Sequence, residues 1–142
     1  MRRYLVVANQ TLGGEHLLAR IRECIAAGAS SFHVVVPATH SADHATWTEG
    51  EANAIAQGRL DRALTRFREL GADVAGEVGD GNPLLAIEDA IRGGRFDEII
   101  LSTLPPGPSK WLKLDLPHRV GVRFGIPVTH LIGDQESATT AR

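Results

Sequence analysis

Short apolar runs rich in β-branched residues alternate with stretches of helical periodicity along the chain, and this alternation most narrows the choice of fold. A strand, a helix and a second strand form one parallel unit when the crossover is right-handed. Tyr4 to Ala8 is the first run. It is continuous rather than alternating, as expected of a strand buried on both faces, and it stops at Asn9-Gln10-Thr11. Gly13-Gly14 then precede Leu17, Leu18, Ile21 and Ile25, whose spacing places them on one helix face that Gly28 closes. Phe32 to Val36 is a second strand, ended by Pro37.

After a polar stretch from His40 to Trp47, Ala56, Leu60, Ala63, Leu64, Phe67 and Leu70 form a long helical stripe with Arg59, Asp61 and Arg66 between them, capped by Gly71. Ala72 to Val78 is a third strand, with Val74 and Val78 its only β-branched residues. Gly79-Asp80-Gly81-Asn82 is turn chemistry, and Pro83 suits a first helical position ahead of Leu84, Ile87, Ala90 and Ile91. Gly93-Gly94 end that helix, and Glu98 to Leu101 is a fourth strand. Pro105, Pro106 and Pro108 predict an irregular loop from Ser102 to Lys110. Pro117 starts a short helix carrying Val120 and Phe124, Gly125 ends it, and Val128 to Ile132 is a fifth strand.

The pattern predicts one doubly wound α/β domain over residues 1–132, with a five-stranded parallel sheet in the order 3-2-1-4-5 and helices on both faces. Residues 133–142 have no apolar anchor and are expected to fray as a flexible tail. With 142 residues, 43% hydrophobic and 23% charged, the chain can bury one sizeable core. No apolar run approaches the ~18 residues of a spanning helix, so no membrane partner is expected. A net charge of −2 provides no strong field for nucleic acid or anionic lipid, local basic patches aside. A lone Cys24 makes no internal disulfide, and the apolar run after Met1-Arg2-Arg3 is too short for a secretory signal. The cytoplasm is the expected compartment.

In open parallel sheets the ligand crevice lies beyond the carboxyl ends of the strands, where strand order reverses. Here that position falls between strands one and four, at Asn9-Gln10-Thr11 and from Ser102 onward. Ser109 and Lys110 offer a hydroxyl and a point charge for an anion, against the simpler role of a stiff loop packing Trp111 and Leu112 over the sheet. Gly13-Gly14 and Gly79-Asp80-Gly81 precede helix starts that have free amides, although Asp80 or Asn82 as a plain cap explains the second case equally well. His40, Asp43 and His44 are metal-ligating residue types without an evident third ligand. Cys24 lies near an apolar helix face and reads as a small hydrophobe. Ser102, Asp115 and His118 form no recognisable catalytic order, so no catalytic group and no enzyme activity are expected. His130 reads as a structural or interface residue.

From about Arg3 to Ile132 the chain resembles the universal stress protein family. The resemblance rests on Tyr4-Leu-Val-Val-Ala-Asn9 as the first strand, Gly81-Asn-Pro-Leu-Leu-Ala-Ile87 as a helix start, Asp97-Glu-Ile-Ile-Leu-Ser-Thr103 as the fourth strand, and Ile126-Pro-Val128 opening the fifth. Members that bind ATP carry Gly-x2-Gly-x9-Gly-Ser/Thr after strand four. That spacing lands here on Ser102, Pro105, Asp115 and Leu116, so every motif glycine is replaced. A glycine lets backbone amides curl around phosphate, whereas proline brings a ring and removes a donor, and Asp115 adds an unhelpful negative charge. Asn9 also stands where ATP-binding relatives usually have an aspartate.

The resemblance therefore implies a non-enzymatic, stress-associated regulatory or binding protein without a cofactor. The alternative is a divergent ATP- or AMP-binding protein. In that case Asn9 and the main chain at Val36 would meet the base, and Thr11, Ser102, Thr103, Ser109 and Lys110 the ribose and phosphates. Universal stress proteins usually dimerise through the fifth strand, and an edge strand with unpaired backbone groups invites the same pairing. A homodimer through Val128, His130 and Ile132 is thus expected, with no nucleic-acid partner. Residues 40–50 and 105–112, with Trp47 and Trp111, are the candidates for a further protein partner.

Overall fold

Each continuous apolar run becomes a strand of one sheet in the computed structural model, which describes residues 1–38, 49–107 and 109–133. The elements are β1 (Arg2–Val7), α1 (Glu15–Ala27), β2 (Ser30–Pro37), α2 (Glu49–Glu69), β3 (Val74–Gly79), α3 (Pro83–Gly93), β4 (Glu98–Thr103), α4 (Lys110–Lys113), α5 (Leu116–Phe124) and β5 (Val128–Ile132). The sheet order is β3-β2-β1-β4-β5, and every pairing is parallel. This is the order expected from the sequence.

Two cores lie on opposite faces of the sheet, because successive side chains on a strand point to opposite sides. Tyr4, Val6, Phe32, Val34, Val36 and Ile100 pack with Leu17 and Ile21 of α1 and Leu60 and Phe67 of α2. Leu5, Val7, Val35, Ile99 and Leu101 pack with Leu84 and Ile87 of α3 and Leu116 and Val120 of α5. Cys24 is buried in the first core, next to Tyr4. Burial pushes its thiol pKa up, which keeps it protonated and unreactive.

The caps follow the local sequence. Asn82 accepts a hydrogen bond from the Leu84 amide at 3.0 Å, with Pro83 behind it at the first helical position. Asp80 accepts from the Asn82 amide at 2.8 Å, so the Gly79–Asn82 turn is held as a cap. Gly71 and Gly125 follow α2 and α5 with φ of 93° and 64°, a left-handed backbone that suits glycine.

The structure adds one element to the expected set. The proline-rich loop ends in the four-residue α4, because the Ser109 hydroxyl accepts from the Leu112 amide at 3.1 Å and nucleates a turn. Three strands also run longer than their apolar cores. β1 and β2 start in register at Arg2 and Ser30, β2 continues to Pro37 opposite Gly79, and β4 continues through two polar residues to Thr103. His40, Asp43, His44, Trp47 and the 134–142 tail lie outside the described residues.

At the amino-terminal end of the sheet, Glu98 is buried and accepts from Arg2 at 3.1 Å, Arg20 at 3.0 Å and Thr129 at 2.7 Å. Burial alone would raise its pKa, but the three hydrogen bonds outweigh it and hold the carboxyl below its ordinary value. Among the described residues no helix is long and apolar enough to cross a membrane.

Candidate functional site

Sheet order reverses at β1, which lies between β2 and β4, so the crevice forms beyond Val7 and Thr103 as the topology requires. β1 ends in the buried Asn9 and Thr11, and β4 ends in the buried Ser102 and Thr103. Along β4 the alternation sends Ser102 toward α1 and Thr103 toward the opposite face.

On the α1 side the polar groups are joined to each other. The Thr11 and Ser102 hydroxyls lie 2.6 Å apart, and the His16 Nε2 lies 2.7 Å from Ser102 Oγ. Thr11 and Ser102 are each 1% exposed, so their hydroxyls face this network and not solvent. The His16 ring reaches them because two neighbours lack side chains. A Cβ at Gly14 would lie 2.5 Å from the ring, and one at Gly133, just past β5, would lie 2.0 Å from it. Gly133 is held there by its amide, which donates to the Thr103 carbonyl at 2.9 Å. His16 thus lies between the start of α1 and the end of β5, across the mouth of the crevice.

A second closure comes from α2. Asn9 donates from Nδ2 to the Pro37 carbonyl at 2.7 Å and accepts on Oδ1 from Arg59. Two helical turns further, Arg66 donates to the Gly13 carbonyl at 2.9 Å and pairs with Glu15. The two arginines, seven residues apart and so on one face of α2, clamp the loop between β1 and α1.

The remaining candidates lie elsewhere. Thr103 donates its single proton to the Leu104 carbonyl at 2.9 Å and lies 2.8 Å from His130 Nε2. With that proton committed, His130 must be the donor, which requires a hydrogen on Nε2. Burial lowers the His130 pKa and so favours the neutral ring in this tautomer. The Val36 side chain is in the core, so only its main chain faces the strand ends. Ser109 is buried and committed to capping α4, while Lys110 is exposed as the first residue of that helix.

The structure therefore gathers Asn9, Thr11 and Ser102 and couples them to His16 and Arg59. Thr103 is joined to His130, and Ser109 and Lys110 stand on the α4 turn. Of the positions matched to the motif glycines, Pro105 accepts from the Ser109 amide. Asp115 keeps a left-handed backbone at φ 55°, ψ 40°, the conformation glycine favours, and Leu116, at the motif's Ser/Thr position, is buried in the core.

Sequence reasoning missed His16, which is 86 residues from its partner Ser102. Its only trace in the sequence is a pair of glycines, Gly14 and Gly133, that each have a simpler local explanation. Ser102 and His16 have the spacing of a hydroxyl and its base. With Ser102 buried beneath the ring, an electrophile reaches the hydroxyl only after His16 moves. Among the described residues no group of three or more His, Cys, Asp or Glu is placed to hold a metal ion. A hollow of about 320 Å³, lined by Met1, Ile25, Gly28, Ala29, Ser30, Gly71 and Asp73, lies at the opposite, amino-terminal end of the sheet.

Strand order, two-faced cover and the crevice position define a doubly wound α/β protein of the 3-2-1-4-5 type. Within that class, a solved universal stress protein from Archaeoglobus fulgidus matches the chain with a TM-score of 0.62 over 94% of each chain, at 16% identity. At that identity the likeness is one of fold. No protein-family model matches the chain, and no curated protein matches its sequence.

Proposed function

We propose that the chain is a non-enzymatic regulatory or binding protein of the universal stress type, cytoplasmic and without a standard ATP site. The observation that supports this most directly is the crevice itself. Thr11 and Ser102 bond to each other and to His16, and Asn9 bonds to Pro37 and Arg59. A ligand entering there would have to replace protein–protein hydrogen bonds already made, which offsets much of what its own contacts contribute. The fold of the Archaeoglobus fulgidus protein adds support at the level of architecture.

The same proposal includes a homodimer through β5. That strand forms one edge of the sheet, and Val128, His130 and Ile132 are each only partly covered or exposed. Its outer backbone groups are positioned to pair with a second copy.

Thermal unfolding with and without Mg-ATP, with AMP and GTP as controls at fixed protein concentration, tests the reading. Nucleotide at 100 times its dissociation constant would stabilise a binder by about 2.7 kcal/mol, or roughly 5–10 °C at this size. The proposal expects no shift at millimolar nucleotide. A shift of that size with ATP would overturn it in favour of a divergent nucleotide binder.

A further inference from the structure

The charge of this chain is unevenly distributed. Residues 110–123 carry Lys110, Lys113, Arg119 and Arg123 against Asp115 alone, a local net of +3 in a chain whose total is −2. The rest of the protein is therefore at −5.

This basic segment is α4 and α5, two short helices packed against each other. The inner residues Trp111, Leu116, Val120 and Phe124 join the core beneath. On α5 the exposed residues are His118, Arg119, Val122 and Arg123, spaced to share the outer face. Leu114, just before α5, is exposed as well, and its carbonyl accepts from Arg119 at 3.4 Å. Lys110 and Lys113 are exposed on α4, which packs against α5. Arg123 is paired with Glu88, so Lys110, Lys113 and Arg119 supply the available positive charge.

Two large aliphatic side chains stand out of this field, Val122 at 71% exposed and Leu114 at 55%. Side chains that project so far do not line a groove, as a bound peptide would require. They suit a flat, deformable surface into which they can insert while the basic groups around them meet negative charge. We propose that the outer face of α4 and α5 is a docking surface for an anionic lipid bilayer. The negative remainder of the protein does not prevent this. Glu88, the acidic residue at the edge of this face, is neutralised by Arg123 and Arg92, and charge further than a Debye length of about 8 Å from the membrane is largely screened.

The test is co-sedimentation of the full chain with vesicles of phosphatidylcholine alone and of phosphatidylcholine with phosphatidylglycerol. Each basic group near an anionic surface is worth about 1 kcal/mol, or roughly fivefold in partitioning. Set against the exposed Asp115, the three groups leave a net of +2 and predict roughly 25-fold preference for the anionic vesicles, decreasing as salt is raised. The Lys110→Gln/Lys113→Gln variant is expected to lose about 25-fold by the same arithmetic. Val122→Asn should weaken binding severalfold at unchanged charge, through lost apolar burial. A control pair, Arg22→Gln/Arg95→Gln, makes the same change of net charge at exposed sites on α1 and just after α3 and should bind as the wild type does. All substituted positions are exposed, so unchanged unfolding midpoints will exclude misfolding as a cause. Equal partitioning to both vesicle types, no binding, or equal loss in the control pair would overturn the proposal. So would binding to an acidic polypeptide such as polyglutamate without binding to vesicles, which would assign the face to a protein partner.

Discussion

Replacing Gly133 with alanine perturbs the crevice at one atom. The backbone of Gly133 is not in the left-handed region, so alanine is conformationally acceptable there. Its Cβ, however, would lie 2.0 Å from His16 Cε1 and 2.4 Å from both ring nitrogens. The ring cannot retreat, because Gly14 lies against it as well. It must leave, and with it goes the 2.7 Å bond to Ser102. Ser102 keeps Thr11 as a partner, so the loss is that of one hydrogen bond to a buried hydroxyl, about 1–2 kcal/mol. For a domain of this size that lowers the midpoint by roughly 3–8 °C. The decisive assay is a double-mutant cycle in urea. His16→Ala removes the same bond, so Gly133→Ala should cost little more in its presence, a coupling of about 1–2 kcal/mol. Strictly additive costs would refute the claim that Gly133 acts by making room for His16.

Three further outcomes follow from the geometry. Glu98 titrates below 4.5 in the folded state, so its stabilising effect is complete above that value and lost as pH falls through the folded pKa. Glu98→Gln should cost about 1–3 kcal/mol at neutral pH and flatten the acid limb of stability measured by urea unfolding. His130 has a folded pKa below 6.5, so the unfolded chain takes up the proton first and stability declines as pH falls through and below that value. His130→Gln, which keeps a donor for Thr103, should flatten that slope between about pH 5 and 7, the range in which an ordinary histidine titrates. Asp115 has a left-handed backbone without a side-chain cap, so Asp115→Gly should be more stable by about 0.5 kcal/mol in thermal unfolding, and no gain would mean that the carboxylate contributes there.

What the sequence disclosed depended on how locally each feature is encoded. β5 runs from Val128 to Ile132 as its apolar pattern and flanking Pro127 predict, and Asn82 caps α3 as its place before Pro83 predicts. Both are set by neighbours within a few residues. The strand order also follows from local facts, since alternating strands and helices leave few right-handed windings. α4 was hidden because four residues are too short to show a helical period. The crevice contacts were hidden for a different reason. Asn9, Thr11 and Ser102 were legible as residues at strand ends, but their partners Arg59 and His16 lie 50 and 86 residues away from Asn9 and Ser102 respectively. No local pattern distinguishes those two side chains from other polar residues on a helix. Ser109 and Lys110 were legible as a hydroxyl and a charge near the crevice, whereas the capping bond that commits Ser109 depends on the turn the backbone makes at Leu112.

The central claim is that the crevice is closed by the protein's own side chains. It is tested most directly by recording amide and side-chain resonances of Asn9, Thr11, His16 and Ser102 while Mg-ATP is added to millimolar excess. The account predicts that these signals stay in place and that the His16 ring remains hydrogen-bonded to Ser102. Saturable shifts confined to those residues, with His16 released from Ser102, would contradict it and place a nucleotide in the crevice.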